Sequence, residues 1–193
     1  MKKIICLYGL PACGKTTQAE KLTTEYGYSY FGMGERLRAE VASGSKLGER
    51  IKNYLTEGTL IPDDCMIEVI KNVGMEIKEK GIVFDGFPRM ISQAYMMEEI
   101  IKEIDMKVDA FICLNVSPEE ALRRIEDRAK INERHDDKDA NAIKNRMDVF
   151  KQESTILMDY YRQQNKLVEI NGEMSIEDVY TKIKEELKRL ENL

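Results

Sequence analysis

Residues 9–16 contain the residue types that cradle the phosphates of a nucleotide. They read Gly-Leu-Pro-Ala-Cys-Gly-Lys-Thr, which fits the pattern G-x-x-x-x-G-K-[ST], and they lie between an apolar run at 4–8 and a helix-favouring stretch at 18–22. The two glycines of such a loop let backbone N–H groups point at an anion, and the start of the following helix adds a positive field. Lys15 supplies a point charge for the terminal phosphates, and Thr16 offers a hydroxyl to Mg²⁺. The spacing therefore predicts a nucleoside triphosphate site.

The phosphate loop alone does not identify the reaction. Switch GTPases, motor ATPases and small-molecule kinases share it, so function must be argued from other residues. The sequence has no guanine-reading Asn-Lys-x-Asp element, which argues against a switch GTPase. A kinase that joins two anionic substrates needs more cations than a hydrolase does, and arginine suits this role because its planar fork binds phosphate oxygens bidentately.

Six arginines have positions suited to binding phosphate. One closes the run Asp85-Gly86-Phe87-Pro88-Arg89 just beyond an apolar, strand-like segment, and four others surround a strongly charged stretch at 128–139. The six are Arg38, Arg89, Arg124, Arg128, Arg134 and Arg146. Together with the phosphate loop they favour phosphoryl transfer, in which catalysis is mostly positioning and electrostatic stabilisation.

The elements that must position these residues follow an alternating pattern of strand-like and helix-like segments. Short runs rich in Val, Ile and Phe predict five strands, at residues 3–8, 28–31, 81–85, 109–116 and 167–170. Strands separated by helices predict an α/β fold with a buried parallel sheet sandwiched by helices, of the P-loop NTPase type. Residues 32–60 are polar and glycine-punctuated, which predicts two or three short helices beside the sheet. Residues 128–139 are predicted to form a solvated loop, which could serve as a flap.

Composition limits the class of protein further. The 193 residues fit one domain, and the net charge of −5 does not favour a nucleic-acid partner. No apolar run is long enough to cross a membrane. The cysteines at 6, 13, 65 and 113 lack C-x-x-C spacing, which predicts buried thiols rather than a disulfide framework or a zinc site. We therefore expect a cytoplasmic monomer whose partners are small molecules.

From end to end the sequence resembles the adenylate kinase family, whose members convert ATP and AMP into two ADP. The most specific element is the run from Asp85 to Arg89 followed, four residues later, by Gln93. The resemblance implies a single kinase domain over 1–193 with a nucleoside-monophosphate-binding insertion at 32–60. It also implies a short lid at 128–139 without zinc, Mg²⁺ as cofactor, and direct in-line transfer without a covalent enzyme intermediate.

The resemblance implies a role for individual residues of the donor site. Asp85 would orient Mg²⁺ through water, with Thr16 as a further metal contact. Met174 would lie near the donor base. The residues expected to bind ATP are Ala12, Cys13, Gly14, Lys15, Thr16, Thr17, Arg124, Arg128 and Met174. The residues expected to act in catalysis are Lys15, Arg89, Arg128, Arg134 and Arg146.

The resemblance also implies an acceptor site. Arg38 and Arg89 would bind the phosphate of AMP, and Gln93 would pair with its adenine. The residues expected to bind AMP are Met33, Arg38, Thr59, Leu60, Ile61, Gly86, Phe87, Pro88, Arg89, Gln93, Arg134 and Arg146. Asp136 and Asp137 would pair with the arginines of the flap or hold the lid closed.

The sequence departs from the family pattern at three places, one of which is the spacing from Arg134 to Arg146, one residue longer than in short-lid relatives. Gly32-Met33-Gly34-Glu35 stands where the family has Ser-Thr-Gly-Asp, so Met33 replaces a threonine that would help to read the acceptor base, and Thr16 stands where the family usually has glycine. These departures leave two alternatives, a UMP/CMP or broad-range nucleoside monophosphate kinase and a non-catalytic nucleotide-binding module. Gln93 favours AMP, because the related UMP/CMP kinases typically carry asparagine there.

Overall fold

The computed structural model describes residues 2–71, 77, 80–131 and 137–191. Over these residues the chain forms a five-stranded, all-parallel sheet with helices on both faces. The strands are β1 Lys3–Tyr8, β2 Ser29–Gly32, β3 Gly81–Asp85, β4 Ala110–Asn115 and β5 Leu167–Asn171, in the order β2-β3-β1-β4-β5. The predicted fold class is confirmed, and each predicted strand end matches the observed one or differs from it by one residue.

The helices begin where the sequence supplies suitable residues. Ser45 and Asp139 accept hydrogen bonds from backbone N–H groups of the first turn that follows each of them, and Pro118 opens another helix. The helices are α1 Lys15–Tyr26, α2 Met33–Ala42, α3 Lys46–Glu57, α4 Asp63–Ile70, α5 Ile91–Lys102, α6 Pro118–Ile131, α7 Ala140–Gln163 and α8 Ile176–Glu191. Within the described residues, none of them is both long enough and apolar enough to span a membrane.

The hydrophobic core lies on both faces of the sheet, because successive side chains of a strand point to opposite sides. Ile4 and Cys6 of β1 pack into a cluster with α2, α3, α4, α5 and α7, whereas Ile5 and Leu7 pack against α1 and α8. Every residue of β3 is buried. This two-sided burial explains why the strands are continuous apolar runs rather than alternating ones.

The carboxyl ends of the parallel strands meet at one edge of the sheet. Leu7 is paired with Asp85 between β1 and β3, and Gly32 is paired with Asp85 between β2 and β3. The phosphate loop, the start of the 32–60 segment and the run at 85–89 therefore leave the sheet side by side. Open parallel sheets bind ligands at this edge.

Two segments outside the sheet allow the sequence predictions to be compared with the structure. The 32–60 segment contains the two helices α2 and α3, as predicted. The predicted loop at 128–139 is wrong in its first four residues, because α6 continues to Ile131. In the sequence Arg-Ala-Lys-Ile the first three residues are good helix formers, and the two basic residues are favourable at a helix carboxyl end. Asp137 is buried rather than solvated, and residues 132–136 lie outside the described part.

Candidate active site

A cavity of about 620 Å³ opens at the carboxyl edge of the sheet. It extends from the phosphate loop to helices α2 and α3 and is bordered by α6 and α7. Most of the residues predicted for both substrates line it: Ala12, Gly14, Lys15, Thr16, Thr17, Met33, Arg38, Thr59, Leu60, Ile61, Asp85, Gly86, Arg89, Gln93, Arg124, Arg128 and Arg146. The structure thus brings the two predicted half-sites to one cavity.

The remaining predicted residues lie elsewhere. The side chain of Cys13, within the loop, is buried, Phe87 and Pro88 are also buried and do not line the cavity, and Met174 packs against the apolar cluster shared by α1 and α8. Asp137 lies behind the wall, where it contacts two arginines that line the cavity. Arg134 and Asp136 lie outside the described residues.

The phosphate loop has the backbone that its glycines make possible. Gly9 has φ of 138° and Gly14 has φ of 102°, both in the region that a Cβ disfavours. A Cβ on Gly9 would also lie 2.6 Å from the carbonyl oxygen of Leu114. Helix α1 begins at Lys15, whose Nζ donates to the carbonyl oxygens of Gly9 and Leu10, at 2.9 Å in each case. The ammonium group is therefore held over the loop at the start of a helix.

A carboxylate with two hydroxyl donors lies beside the loop. Thr16 Oγ1 donates to Asp85 Oδ2 at 2.6 Å, and the hydroxyl of Tyr30 donates to the same oxygen at 3.1 Å. Burial, and then the neighbouring Asp85, raise the pKa of the Tyr30 phenol, so the phenol stays protonated and acts as a donor. The hydroxyl of Thr16 in α1 and the carboxylate of Asp85 at the end of β3 are oxygen ligands of the kind that Mg²⁺ takes alongside phosphates and water.

Arg38, Arg89 and Arg146 line the part of the cavity where the acceptor is expected from the sequence. Arg89 is partly buried, and its Nε donates to the carbonyl oxygen of Gly86 at 2.8 Å. Burial lowers the pKa of Arg89; Asp85 opposes this shift, and Arg146 and Arg38 add to it. The repulsion among these guanidinium groups would be relieved by an anion bound between them.

The side chain of Gln93 is held by a backbone N–H group that lies four residues earlier in the chain. Its side-chain Oε1 accepts a hydrogen bond from the backbone N–H of Arg89 at 2.9 Å. Gln93 is 2% exposed and lines the cavity near the first turn of α5. Because the amide oxygen is occupied by this hydrogen bond, the side chain offers its Nε2 hydrogens to a ligand.

Arg146 and a further arginine, Arg128, meet on one buried carboxylate. Arg128 donates from Nε and Nη2 to the two oxygens of Asp137 at 2.6 and 2.8 Å, and Arg146 Nη2 donates to Asp137 Oδ1 at 3.0 Å. Burial opposes the ionisation of Asp137, but the hydrogen bonds and charges of both arginines outweigh it and hold its pKa below the usual value. Asp137 thus ties the end of α6 to α7.

The sequence analysis missed part of the cavity wall. Tyr8, Tyr30, Leu37, Tyr54, Leu55, Met66, Val149 and Phe150 also line the cavity. Phe150 could have been found, because it lies four residues after Arg146 and so shares the same face of α7. Tyr8 could also have been found, since it directly precedes the loop. Tyr30 has no comparable signal, because its position depends on the pairing of β2 with β3.

Comparison with known proteins identifies the family. The adenylate kinase family model matches residues 7–166. The chain belongs to the adenylate kinase family. It is 36% identical to an adenylate kinase of Parabacteroides distasonis, covering 94% of this chain and 95% of that relative. An adenylate kinase of Bacteroides thetaiotaomicron is 35% identical, with coverages of 96% and 98%, and one of Methanosarcina barkeri is 36% identical, with the same coverages. The resemblance noted from the sequence is confirmed.

Proposed function

We propose that this adenylate kinase family member transfers the γ-phosphoryl group of Mg-ATP to AMP and forms two ADP. The observation that carries the proposal is the shared cavity, in which Lys15 of the phosphate loop and the cluster around Arg89 line the same space. A hydrolase would need one anion site, whereas Lys15 and the arginines around Arg89 would form two. The curated relatives are named adenylate kinase, which agrees with AMP rather than CMP or UMP as the acceptor.

In the donor half, the backbone of residues 12–17 and Lys15 would bind the ATP phosphates. Thr16 and Asp85 would hold Mg²⁺, Asp85 through water, because their oxygens lie 2.6 Å apart beside the loop and suit this hard cation. Bound Mg²⁺ neutralises phosphate charge. Arg124 and Arg128 would reach ATP from α6, and Met174 would lie near its base.

In the acceptor half, Arg38 and Arg89 would bind the AMP phosphate. Gln93 would donate from Nε2 to a ring nitrogen of adenine, since its Oε1 is held by Arg89. Met33 and the segment from Thr59 to Ile61 would form the apolar wall against the base. The buried Phe87 and Pro88 would support this wall from behind.

The transfer step would be direct. The acceptor phosphate oxygen is already a nucleophile, so the chain must position two anions and exclude water. A lid at 128–139 would close over both substrates, with Arg128, Arg134 and Arg146 around the transferring group and Asp136 and Asp137 holding the closed form. Closure matters because water competes as acceptor.

An acceptor panel tests the proposal. ADP formation is measured with Mg-ATP and each of AMP, GMP, CMP, UMP and dTMP, and kcat/KM is compared. AMP is expected to give the highest value. A higher kcat/KM for CMP or UMP would contradict the adenine assignment, and no turnover with any acceptor would support a non-catalytic module.

We also propose that the protein works as a cytoplasmic monomer. All four cysteines are free and buried thiols, which suits a reducing compartment. The large exposed apolar side chains are distributed over several elements, for example Tyr95 on α5, Leu122 on α6 and Ile176 on α8. Light scattering coupled to gel filtration, with and without reductant, tests the oligomeric state.

A further inference from the structure

At the end of β2, the side chain of Tyr30 fills the space where a side chain at position 32 would lie. A Cβ placed on Gly32 would lie 2.5 Å from the hydroxyl oxygen of Tyr30 and 2.7 Å from its Cζ. Real Cβ atoms do not approach other atoms so closely. The phenol ring of Tyr30 therefore fills the volume that any side chain at position 32 would need.

The phenol reaches this place by folding along its own strand. Tyr30 is paired with Val83 and Gly32 with Asp85 in the β2–β3 ladder. The ring of Tyr30 thus lies over Gly32, two residues further along β2. Its hydroxyl lies 3.1 Å from Oδ2 of Asp85. Thr16 donates to the same oxygen. Neither hydroxyl donates to Oδ1.

We propose that Tyr30 is a positioning residue for the donor site, and that Gly32 is required because it leaves room for the phenol. Two donors on Oδ2 fix the rotation of the Asp85 carboxylate and leave Oδ1 for the water that surrounds the magnesium of Mg-ATP. The inference rests on the proposed function, because it assigns Asp85 to that metal. It extends the proposed function by naming Tyr30 and Gly32 as a pair, in which the missing side chain of Gly32 makes room for the phenol of Tyr30.

The expected effect follows from the strength of one hydrogen bond. Without the phenol hydroxyl, the carboxylate can rotate about its last bond and must be re-oriented when the metal binds. A hydrogen bond of this kind contributes a factor of about three to ten in binding. The effect should appear in the affinity for Mg-ATP and not in the affinity for ATP without metal.

The test uses the full-length protein and calorimetric titration with ATP, once in MgCl₂ and once in EDTA. Tyr30→Phe should weaken Mg-ATP binding about three- to tenfold and leave ATP binding in EDTA unchanged. The matched control is Tyr180→Phe, which removes a phenol–carboxylate hydrogen bond of 2.8 Å to Glu25, between α8 and α1 and outside the cavity wall. The control should leave both affinities unchanged.

A pair of exchanged residues tests the compensation. Gly32→Ala alone should weaken Mg-ATP binding at least as much as Tyr30→Phe, because the methyl group displaces the phenol and supplies no hydroxyl in its place. Tyr30→Ala alone should do the same. In the double variant Tyr30→Ala/Gly32→Ser the serine hydroxyl occupies the vacated volume beside Asp85, so Mg-ATP affinity should return to within about twofold of the wild type.

Two results would overturn the inference: an unchanged ratio of the two affinities in Tyr30→Phe, or a double variant that binds Mg-ATP no better than Tyr30→Ala. These results are separable from a failure of the proposed function. If the wild type bound Mg-ATP but formed no ADP from AMP, the proposed reaction would fail, and the comparison of metal-dependent binding would still decide the role of Tyr30.

Discussion

Arg128 donates through both Nε and Nη2 to the carboxylate of Asp137, whose side chain is 0% exposed. Arg146, from the next helix, donates to the same carboxylate. The three groups join α6 to α7 on either side of residues 132–136. If the charge of Asp137 were removed, the guanidinium groups of Arg128 and Arg146 would lose the carboxylate that lies between them.

Asp137→Asn is therefore expected to destabilise the protein by about 2 kcal/mol. Removing one partner of a fully buried ion pair costs about 3–5 kcal/mol, and the cost is smaller here because Arg128 is 26% exposed and faces the cavity. The measurement is the free energy of unfolding in urea. Asp127→Asn is the control, since this exposed carboxylate pairs with Arg123 and Lys130 on the surface, and it should change stability by less than about 0.5 kcal/mol. Equal effects of the two changes would contradict the prediction.

The same carboxylate predicts a specific pH dependence. The pKa of Asp137 is lower in the folded protein than its usual 3.8, so the folded state binds the proton more weakly than the unfolded state. Its contribution to stability is fully present above the unfolded pKa and is lost as the pH falls through the folded pKa.

The difference in unfolding free energy between wild type and Asp137→Asn should thus be constant above about pH 5 and shrink below pH 3.8. Urea unfolding at a series of pH values measures it. Other acids cancel in this difference, among them Glu120, whose pKa is lowered to about 2 by Arg123 and Arg124. A difference that grows as the solution becomes more acidic would show that Asp137 has a raised pKa.

Lys15→Met separates catalysis from stability. Loss of the ammonium group should lower kcat/KM for AMP by at least about a thousandfold, because under the proposed function its charge would stabilise the terminal phosphates in the transition state. The free energy of unfolding should fall by only about 1 kcal/mol, for the loss of hydrogen bonds to Gly9 and Leu10. Lys182→Met, at an exposed lysine paired with Glu185, should leave turnover unchanged. Unchanged turnover in Lys15→Met would refute the site assignment.

Much of the framework could be predicted because its signals are local. The run at 3–8 is β1, and α1 begins at Lys15 inside the loop pattern. The loop fixes its own backbone through Gly9 and Gly14, and the alternation of strands and helices fixes the parallel sheet. A pattern confined to a few consecutive residues can be recognised in the sequence without knowledge of distant contacts.

The relationships that could not be predicted depend on distant parts of the chain. The contact of Tyr30 with Asp85 requires the β2–β3 register, and the burial of Asp137 requires α6 and α7 to meet. The charged composition of residues 128–139 indicated exposure, yet two arginines neutralise Asp137 and allow its burial. Opposite charges that are close in space but not adjacent in sequence leave no periodic signal.

Met33→Thr should sharpen the preference for AMP. Met33 is 1% exposed and lines the cavity, but its thioether cannot donate a hydrogen bond. A threonine hydroxyl beside the base should raise the ratio of kcat/KM for AMP to that for CMP by about two- to twelvefold. Met33→Leu, which keeps the volume and adds no donor, should leave the ratio unchanged. A ratio that responds equally to both changes would indicate an effect of cavity shape alone.

Tyr161→Phe is expected to stabilise the protein. Tyr161 is 0% exposed and stacks on Phe111 with ring centroids 4.2 Å apart, and its hydroxyl has no hydrogen-bond partner among the described residues. A buried hydroxyl without a partner costs about 1–3 kcal/mol, so removing it while keeping the ring should raise the free energy of unfolding by about 1 kcal/mol.

The neighbouring tyrosine provides the matched comparison for Tyr161→Phe. The hydroxyl of Tyr160 donates to Glu98 at 2.5 Å, so Tyr160→Phe should lower the free energy of unfolding by about 1 kcal/mol. Urea unfolding of both variants measures the two effects, which are expected to have opposite signs because one hydroxyl is satisfied and the other is not. Destabilisation of similar size in both would mean that the Tyr161 hydroxyl is hydrogen-bonded in solution, for instance to a buried water.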